Sequence, residues 1–229
     1  MNFYSATDDL FQSLGVVDDV SITLMTPLAM ASQNLQTTNA IGCACVVLIS
    51  GYFESFLKDI TQQLIAQLNG LGKPLASIPY AMRVKHFHSG AKALDWAIKQ
   101  DKKLSNTASS EDLARRLGSV SDPAAYELAW EAFAQTNSNP GPDAVAGILS
   151  GLEISKSWRE INALVTNHGQ LDTFLQSFME IRNMCAHTGT HSAPPTGFDL
   201  QDYTSKIRAI AECVDYLMRF QYETVYSHL

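Results

Sequence analysis

Charged residues are scarce in this chain of 229 residues, at 17%, whereas hydrophobic residues make up 46%. The second figure is typical of a folded globular protein, and the length is sufficient for a sizeable core. The low charge implies that uncharged polar side chains or a partner cover much of the surface. Basic residues are outnumbered, 16 to 23, which gives a formal net charge of -7. Because nucleic-acid-binding proteins usually carry a basic face, any contact with nucleic acid must be confined to a local site.

Metal-binding cysteine motifs and long apolar runs are also lacking. The four cysteines include no CxxC pair and no other pair with the spacing of a metal site, so the sequence predicts reduced, buried thiols. The start of the chain, "MNFYSATDDL", has neither the basic nor the apolar region of a signal peptide. The longest apolar run, "AIGCACVVLIS", is about half a membrane span. We therefore expect a cytoplasmic protein that does not enter a membrane.

Helical periodicity dominates the sequence, and no strand pattern rises above it. Three longer helices, near 38–69, 169–187 and 199–226, carry apolar residues at helical spacing and are expected to form a bundle. Shorter helices between roughly 78 and 166 are expected to form an insertion or cap over one end. The fold prediction is therefore a single all-α domain over residues 1–229.

Two of the shorter helices carry specific predictions. "SDPAAYELAWEAFA" predicts a helix with Asp122 as its N-cap and Pro123 at its first position. "AMRVKHFHSGAKALDWAIKQ" predicts a helix with a possible break at Ser89 and Gly90.

The stretch "EIRNMCAH" near the end of the second long helix combines residues suited to acid–base chemistry. Arg182 and His187 are five residues apart, or about 140° around a helix, while Asn183 shares a face with His187 and can bond its ring. A histidine, a fixed cation and an orienting amide are what attack on a phosphodiester requires. Because the helix is expected to end at Thr188 and Gly189, a purely structural role as a helix cap is the alternative.

The segment "RNMCAHTG" resembles the motif of the HEPN superfamily, in which Arg and His flank a short spacer, often with Asn after the Arg and Ala before the His. "VVLISGYFESFLKDI" resembles the second helix of the RiboL-PSP-type HEPN branch, and "DLQDYTSKIRAIAECVDYL" resembles its closing helix. The resemblance implies a HEPN-like helical bundle with inserted short helices. It also implies a metal-independent endoribonuclease that uses no cofactor.

The same resemblance implies how such an enzyme would work. Two copies of the motif would meet across a homodimer in one composite cleft. Arg182 would stabilise the phosphorane charge, His187 would move the proton, and Asn183 would orient, so that a ribose 2′-hydroxyl attacks the adjacent phosphate. The expected role is that of a toxin-like or phage-defence protein that cuts RNA and is controlled by an antitoxin or other inhibitor protein. The alternative is a non-catalytic HEPN-like dimerising scaffold that binds RNA, nucleotide or a protein partner.

Two further residues are candidates for supporting roles at this site. Glu54 lies between aromatic residues on a largely apolar helix, where a carboxylate needs a partner. It is either a rim residue at the edge of the bundle or an acid that pairs with Arg182 or holds the dimer. His191 follows the motif across Gly189 and is expected in a loop near the cleft.

The stretch "RVKHFHSGAK" offers two weaker hypotheses. His86 and His88 are two residues apart, which places them on different faces of a helix, so a metallohydrolase built on them is only a third hypothesis. The stretch is the most basic part of the chain, with Arg83, Lys85 and Lys92. It either lines a path for a nucleic-acid strand or is an ordinary solvated helix face.

Overall fold

The structure is a computed structural model that describes residues 4–25, 35–104, 108–119, 126–136, 138–155 and 157–228. These ranges contain no strand, and the all-α prediction is confirmed. Their eight helices are α1 (Tyr4–Met25), α2 (Leu35–Gly70), α3 (Tyr80–Leu104), α4 (Ala108–Gly118), α5 (Pro142–Gly151), α6 (Ser157–Leu164), α7 (Leu171–Thr188) and α8 (Gly197–Thr224).

The helices form two compact units. The first unit is made of Met1–Leu57, Thr136–Val145 and Trp158–Asp215; the second is made of Lys58–Gln135, Ala146–Ser157 and Tyr216–Leu229. The long helices α2 and α8 each begin in the first unit and end in the second. The second unit holds most of the segment predicted as an insertion, and the division into a bundle and a cap stays a prediction.

In the first unit, α2 and α7 pack together in antiparallel orientation. Cys43 of α2 faces Cys185 of α7, and the Ser50 hydroxyl contacts the Met179 sulfur. Residue numbers therefore increase along α2 while they decrease along the facing part of α7. Apolar residues of both helices at helical spacing are fully buried, among them Phe53 and several leucines. Each such side chain stabilises the fold by about 1.5–3 kcal/mol. This core fixes the position of the helix that carries the motif.

In the second unit, α3 runs without a break through Ser89 and Gly90. The possible break in this helix is therefore not formed. A Cβ atom added at Gly90 would lie 2.4 Å from Leu117 Cδ2 of α4. The missing side chain thus allows α4 to pack closely against α3, which explains why a glycine occurs inside a helix.

The helix predicted from "SDPAAYELAWEAFA" is wrong over its described part. Residues 126–129 are not helical, and only a single 3₁₀ turn, Trp130–Ala132, follows them. The predicted cap residues Asp122 and Pro123 lie outside the described residues.

Side chains from two helices explain why this segment is extended. The Asn69 side chain accepts the Leu128 N–H at 2.9 Å and donates to the Leu128 carbonyl at 3.0 Å. The His86 ring accepts the Ala129 N–H at 3.1 Å. These bonds replace those that a helix would form along its own backbone, so tertiary contacts override the local preference.

Helix α2 also meets the length and apolarity of a membrane span. Among the described residues it is the one helix that does so, with a mean hydropathy of 1.8, and half of the window concerned is buried within the protein. Core helices of soluble proteins have the same character. The expectation that the protein does not enter a membrane stays a prediction.

Two glycines of α2 provide a matched test of how closely this helix packs within the first unit. A Cβ at Gly42 would lie 2.6 Å from the Pro195 backbone oxygen, whereas one at Gly51 would meet nothing within 4 Å. We expect Gly42→Ala to lower the free energy of unfolding by about 1–3 kcal/mol through overpacking. Gly51→Ala should raise it by about 0.5–1 kcal/mol, because alanine favours the helix. Urea unfolding followed by circular dichroism measures both, and equal effects would contradict the packing described.

Candidate functional site

The motif occupies the last two turns of α7, and the helix ends where the sequence predicts. Gly189 has a φ of 67° and donates its N–H to the Cys185 carbonyl at 2.9 Å, which is the usual left-handed termination. The Thr188 hydroxyl donates to the Met184 carbonyl at 2.8 Å. His187 therefore lies in the final turn, and its side chain is exposed.

Arg182 is half-buried and held in place by two hydrogen bonds. Its Nη1 donates to Asn183 Oδ1 at 2.9 Å, and its Nη2 donates to the Ser138 carbonyl at 2.9 Å. Ser138 has a φ of 57°, an uncommon left-handed conformation for a residue other than glycine. The Arg182 Nε is buried and has no hydrogen-bond partner among the described residues.

Asn183 orients the arginine within the chain rather than the histidine. Its Oδ1 accepts from Arg182, and within the described ranges the His187 ring makes no hydrogen bond. Arg182 is half-buried and His187 is exposed, on directions about 140° apart around α7. One chain therefore presents an ordered cation and an accessible imidazole on different sides of α7, and no hydrogen bond joins the two within the described ranges.

Glu54 is linked to the surroundings of Arg182 through a short segment of backbone. The Thr136 hydroxyl donates to Glu54 Oε1 at 2.7 Å, and Ser138, two residues later, binds Arg182. Helices α2 and α7 thus hold the same segment from two sides. The stretch "QTNSNPGPD" has the composition of a turn, but nothing in it indicates that its backbone holds the arginine.

His191 lies in the loop after α7, as predicted, and the loop is anchored by Asn39 of α2. The Asn39 amide donates to the His191 carbonyl at 3.1 Å and accepts the His191 N–H at 3.2 Å. The ring nitrogen Nδ1 of His191 accepts the Ala193 N–H at 3.1 Å. Within the described ranges its ring forms no hydrogen bond with Arg182 or His187, so the bonds of His191 shape the loop.

A pair of buried thiols supports the helix next to the motif. Cys185 Sγ lies 2.8 Å from Cys43 Sγ, and all four cysteines are free and buried. Burial, with a smaller effect of the neighbouring Cys43 thiol, raises the pKa of Cys185 to about 12. A thiol with this pKa is protonated and unreactive near neutral pH, which indicates a packing role.

The second unit shows why the metal hypothesis at His86 and His88 fails. The His86 side chain is fully buried, and its two ring nitrogens contact the Tyr126 hydroxyl at 3.2 Å and the Ala129 N–H at 3.1 Å. Both nitrogens are therefore occupied, and neither can bind a metal. His88 is exposed. Within the described ranges, no group of three or more His, Cys, Asp or Glu side chains could hold a metal ion.

A cavity of about 410 Å³ in the second unit is a weaker candidate for a ligand site. Its charged side chains already neutralise one another. Arg116 donates to both oxygens of Glu131 at 2.6 and 2.7 Å and also contacts Asp112, and Arg115 contacts Glu127. These ion pairs join α4 to the segment after residue 126, and the cavity is part of that contact.

Comparisons with known proteins identify the family of this chain. Neither the curated proteins nor the solved structures contain a match to this chain. The family described as RiboL-PSP-HEPN matches residues 28–219, which include the motif helix and both long helices beside it. Because this match spans most of the chain, and because the described residues contain helices and no strand, the protein belongs to the RiboL-PSP-HEPN family.

Proposed function

We propose that this protein is a metal-independent endoribonuclease whose cleft is completed by a second copy of the chain. The observation that carries the proposal is the state of the motif in one chain. Arg182 is ordered and retains a buried donor without a partner in the described ranges, while His187 presents an exposed ring at the helix end. A cation and an imidazole that lie apart in one chain become a complementary pair when two chains meet about a twofold axis.

In the composite cleft, each side chain takes a separate task. His187 of one chain accepts the proton of the ribose 2′-hydroxyl as that oxygen attacks phosphorus. Arg182 of the other chain donates to the phosphorane oxygens, where negative charge develops. Asn183 and Ser138 hold the guanidinium in advance, so little ordering remains for the reaction. The departing 5′-oxygen takes a proton, which leaves a 2′,3′-cyclic phosphate and a 5′-hydroxyl.

The exposed side of α2 suits the proposed contact between two copies. It carries an uncharged series at helical spacing, consisting of Ala40, Ala44, Leu48, Gly51 and Ser55. The Cys43–Cys185 pair places Ala44 at about the level of Met184, which is itself 45% exposed on α7. Two copies of Arg182 at such a contact concentrate positive charge in an otherwise acidic protein. The low content of charged residues is then explained, because the partner copy covers this uncharged side of α2.

The test is cleavage of total RNA by the purified chain in excess EDTA, followed by analysis of the ends. We expect cleavage to continue in EDTA and to leave 2′,3′-cyclic phosphates and 5′-hydroxyls. Cleavage that stops in EDTA and returns with a divalent metal would contradict the proposal. The biological role we propose is that of a toxin-like or phage-defence ribonuclease in the cytoplasm, restrained by an inhibitor protein.

A second candidate is a HEPN-like scaffold that binds RNA, nucleotide or protein without turnover. The observation that favours it is the Arg182 guanidinium, which is already bound to the Ser138 carbonyl. A scaffold would bind RNA and leave it intact for hours at micromolar protein concentration. Arg182→Ala would then change the stability of the protein, and RNA would stay intact with the variant as well.

A further inference from the structure

Helix α3 of the second unit differs in charge from the rest of the protein. It carries six Lys or Arg residues and two Asp residues, a net charge of +4 in a chain whose formal net charge is -7. One of the two acids, Asp101, is buried and accepts the Ser110 N–H at 2.7 Å. The helix is therefore locally basic in a chain that is acidic as a whole.

The basic residues of α3 are arranged along one line. Lys85, Lys92, Lys99 and Lys103 are separated by seven, seven and four residues, which keeps them within about 40° around the helix. Lys99 is paired with Asp95 at 2.6 Å, with both side chains about two-thirds exposed. Burial, and then the charge of Lys92, lower the pKa of Lys85. The repulsion between these two lysines is what an anionic ligand would relieve.

One exposed aromatic ring accompanies the lysine line. Trp96, 64% exposed, lies beside it, whereas Tyr80, 74% exposed, and Phe87, 46% exposed, lie roughly 120–140° away around the helix and do not share its side. Tryptophan side chains are normally largely buried, and an exposed one beside a row of lysines marks a contact surface. From Lys85 to Lys103 the line rises about 27 Å, which is long enough for several nucleotides.

We propose that this face of α3 binds single-stranded RNA, with phosphates along the lysine line and a base stacked on Trp96. Lysines that follow a backbone and aromatic rings that stack bases are how proteins bind single strands without reading their sequence. The proposal deepens the proposed function, and it rests on that function for the choice of RNA as the nucleic acid. An anionic membrane suits the face less well, because Asp95 and His88 interrupt the apolar strip that a membrane-surface helix needs.

The experiment measures binding separately from cleavage. The probe is a fluorescent single-stranded oligonucleotide with 2′-O-methyl riboses, which lacks the attacking hydroxyl, and the readout is anisotropy with the full chain. We expect Trp96→Ala to weaken binding by at least about fivefold, the loss of one stacked base. Lys92→Glu should weaken it and lower the slope against log salt by about 0.7, the loss of one phosphate contact. The matched controls Phe198→Ala, in α8, and Arg159→Glu, in α6, replace exposed residues and should bind as the wild type does.

Four outcomes would overturn the proposal. These are wild-type binding by both α3 variants, equal loss in the controls, binding to phosphatidylserine vesicles but not to the oligonucleotide, and conversion of a dimer to a monomer by Trp96→Ala. Failure of the proposed function looks different. In that case RNA stays intact, or His187→Ala still cleaves it, while binding still depends on Trp96 and Lys92.

Discussion

His187→Ala is expected to lower the rate of RNA cleavage by about 10²- to 10⁴-fold, the usual contribution of a positioned general base. The side chain is exposed and makes no hydrogen bond within the described ranges, so its removal should leave unfolding and circular dichroism unchanged. A single-turnover assay on a short RNA measures the rate. His168→Ala, at a partly exposed loop position before α7, is the matched control and should cleave at the wild-type rate.

A mixture of two inactive variants tests whether the cleft is composite. Arg182→Ala and His187→Ala should each be inactive alone. When they are mixed and allowed to exchange subunits, about half of the dimers pair the two variants, and each such dimer regains one of the two His187–Arg182 pairs of a wild-type dimer. Activity should therefore return to about a quarter of the wild-type value. If both side chains act within one chain, the mixture stays inactive and the composite cleft is wrong, even if the single variants behave as expected.

The long helices were predictable because their signals are local and repeated. Apolar residues at helical spacing identify α2, α7 and α8, and Gly189 marks the end of α7 because its left-handed conformation favours glycine. The motif residues could be named for the same reason, since all three lie within six positions of one helix. Their proposed roles follow from the family resemblance and not from the spacing.

The surroundings of the motif could not be predicted, because they are made by backbone atoms from distant parts of the chain. Ser138 binds Arg182 through its carbonyl, and the loop at His191 is held through its backbone by Asn39. A backbone carbonyl is present at every residue and therefore leaves no signature in a sequence. Asn39 had a weak signal, as a polar residue just before an apolar helix run, but nothing in the sequence names its partner.

The extended segment after residue 126 was predicted wrongly for a related reason. Its composition favours a helix, but Asn69 and His86 supply hydrogen bonds to its backbone that no local pattern reveals. The third hypothesis, a metal at His86 and His88, arises for the same reason, since a histidine that accepts a backbone N–H looks the same in a sequence as one that binds a metal. The buried position of His86 distinguishes a structural histidine from a metal ligand. It also makes the stability of the protein depend on pH in acid.

The free energy of unfolding is expected to fall by about 3 kcal/mol between pH 6.5 and pH 4 because of His86. Burial, and then the charge of Arg116, lower the pKa of His86 to about 4, from about 6.5 in the unfolded chain. The unfolded state therefore binds the proton first. Above pH 6.5 the ring is neutral in both states and this stability is fully present. It is lost as the pH falls from the pKa of the unfolded state to that of the folded state.

Urea unfolding at several pH values between 7 and 4 tests this expectation with a matched pair of variants. His86→Gln cannot titrate, so its stability should change about 3 kcal/mol less over this range than that of the wild type. It should already be about 1–3 kcal/mol less stable at pH 7, because the contacts of the ring to Tyr126 and Ala129 are disturbed. His88→Gln removes an exposed histidine two residues away and should keep the wild-type slope. If the wild type and His86→Gln lose stability in parallel, the extended segment is not held by a neutral, buried imidazole.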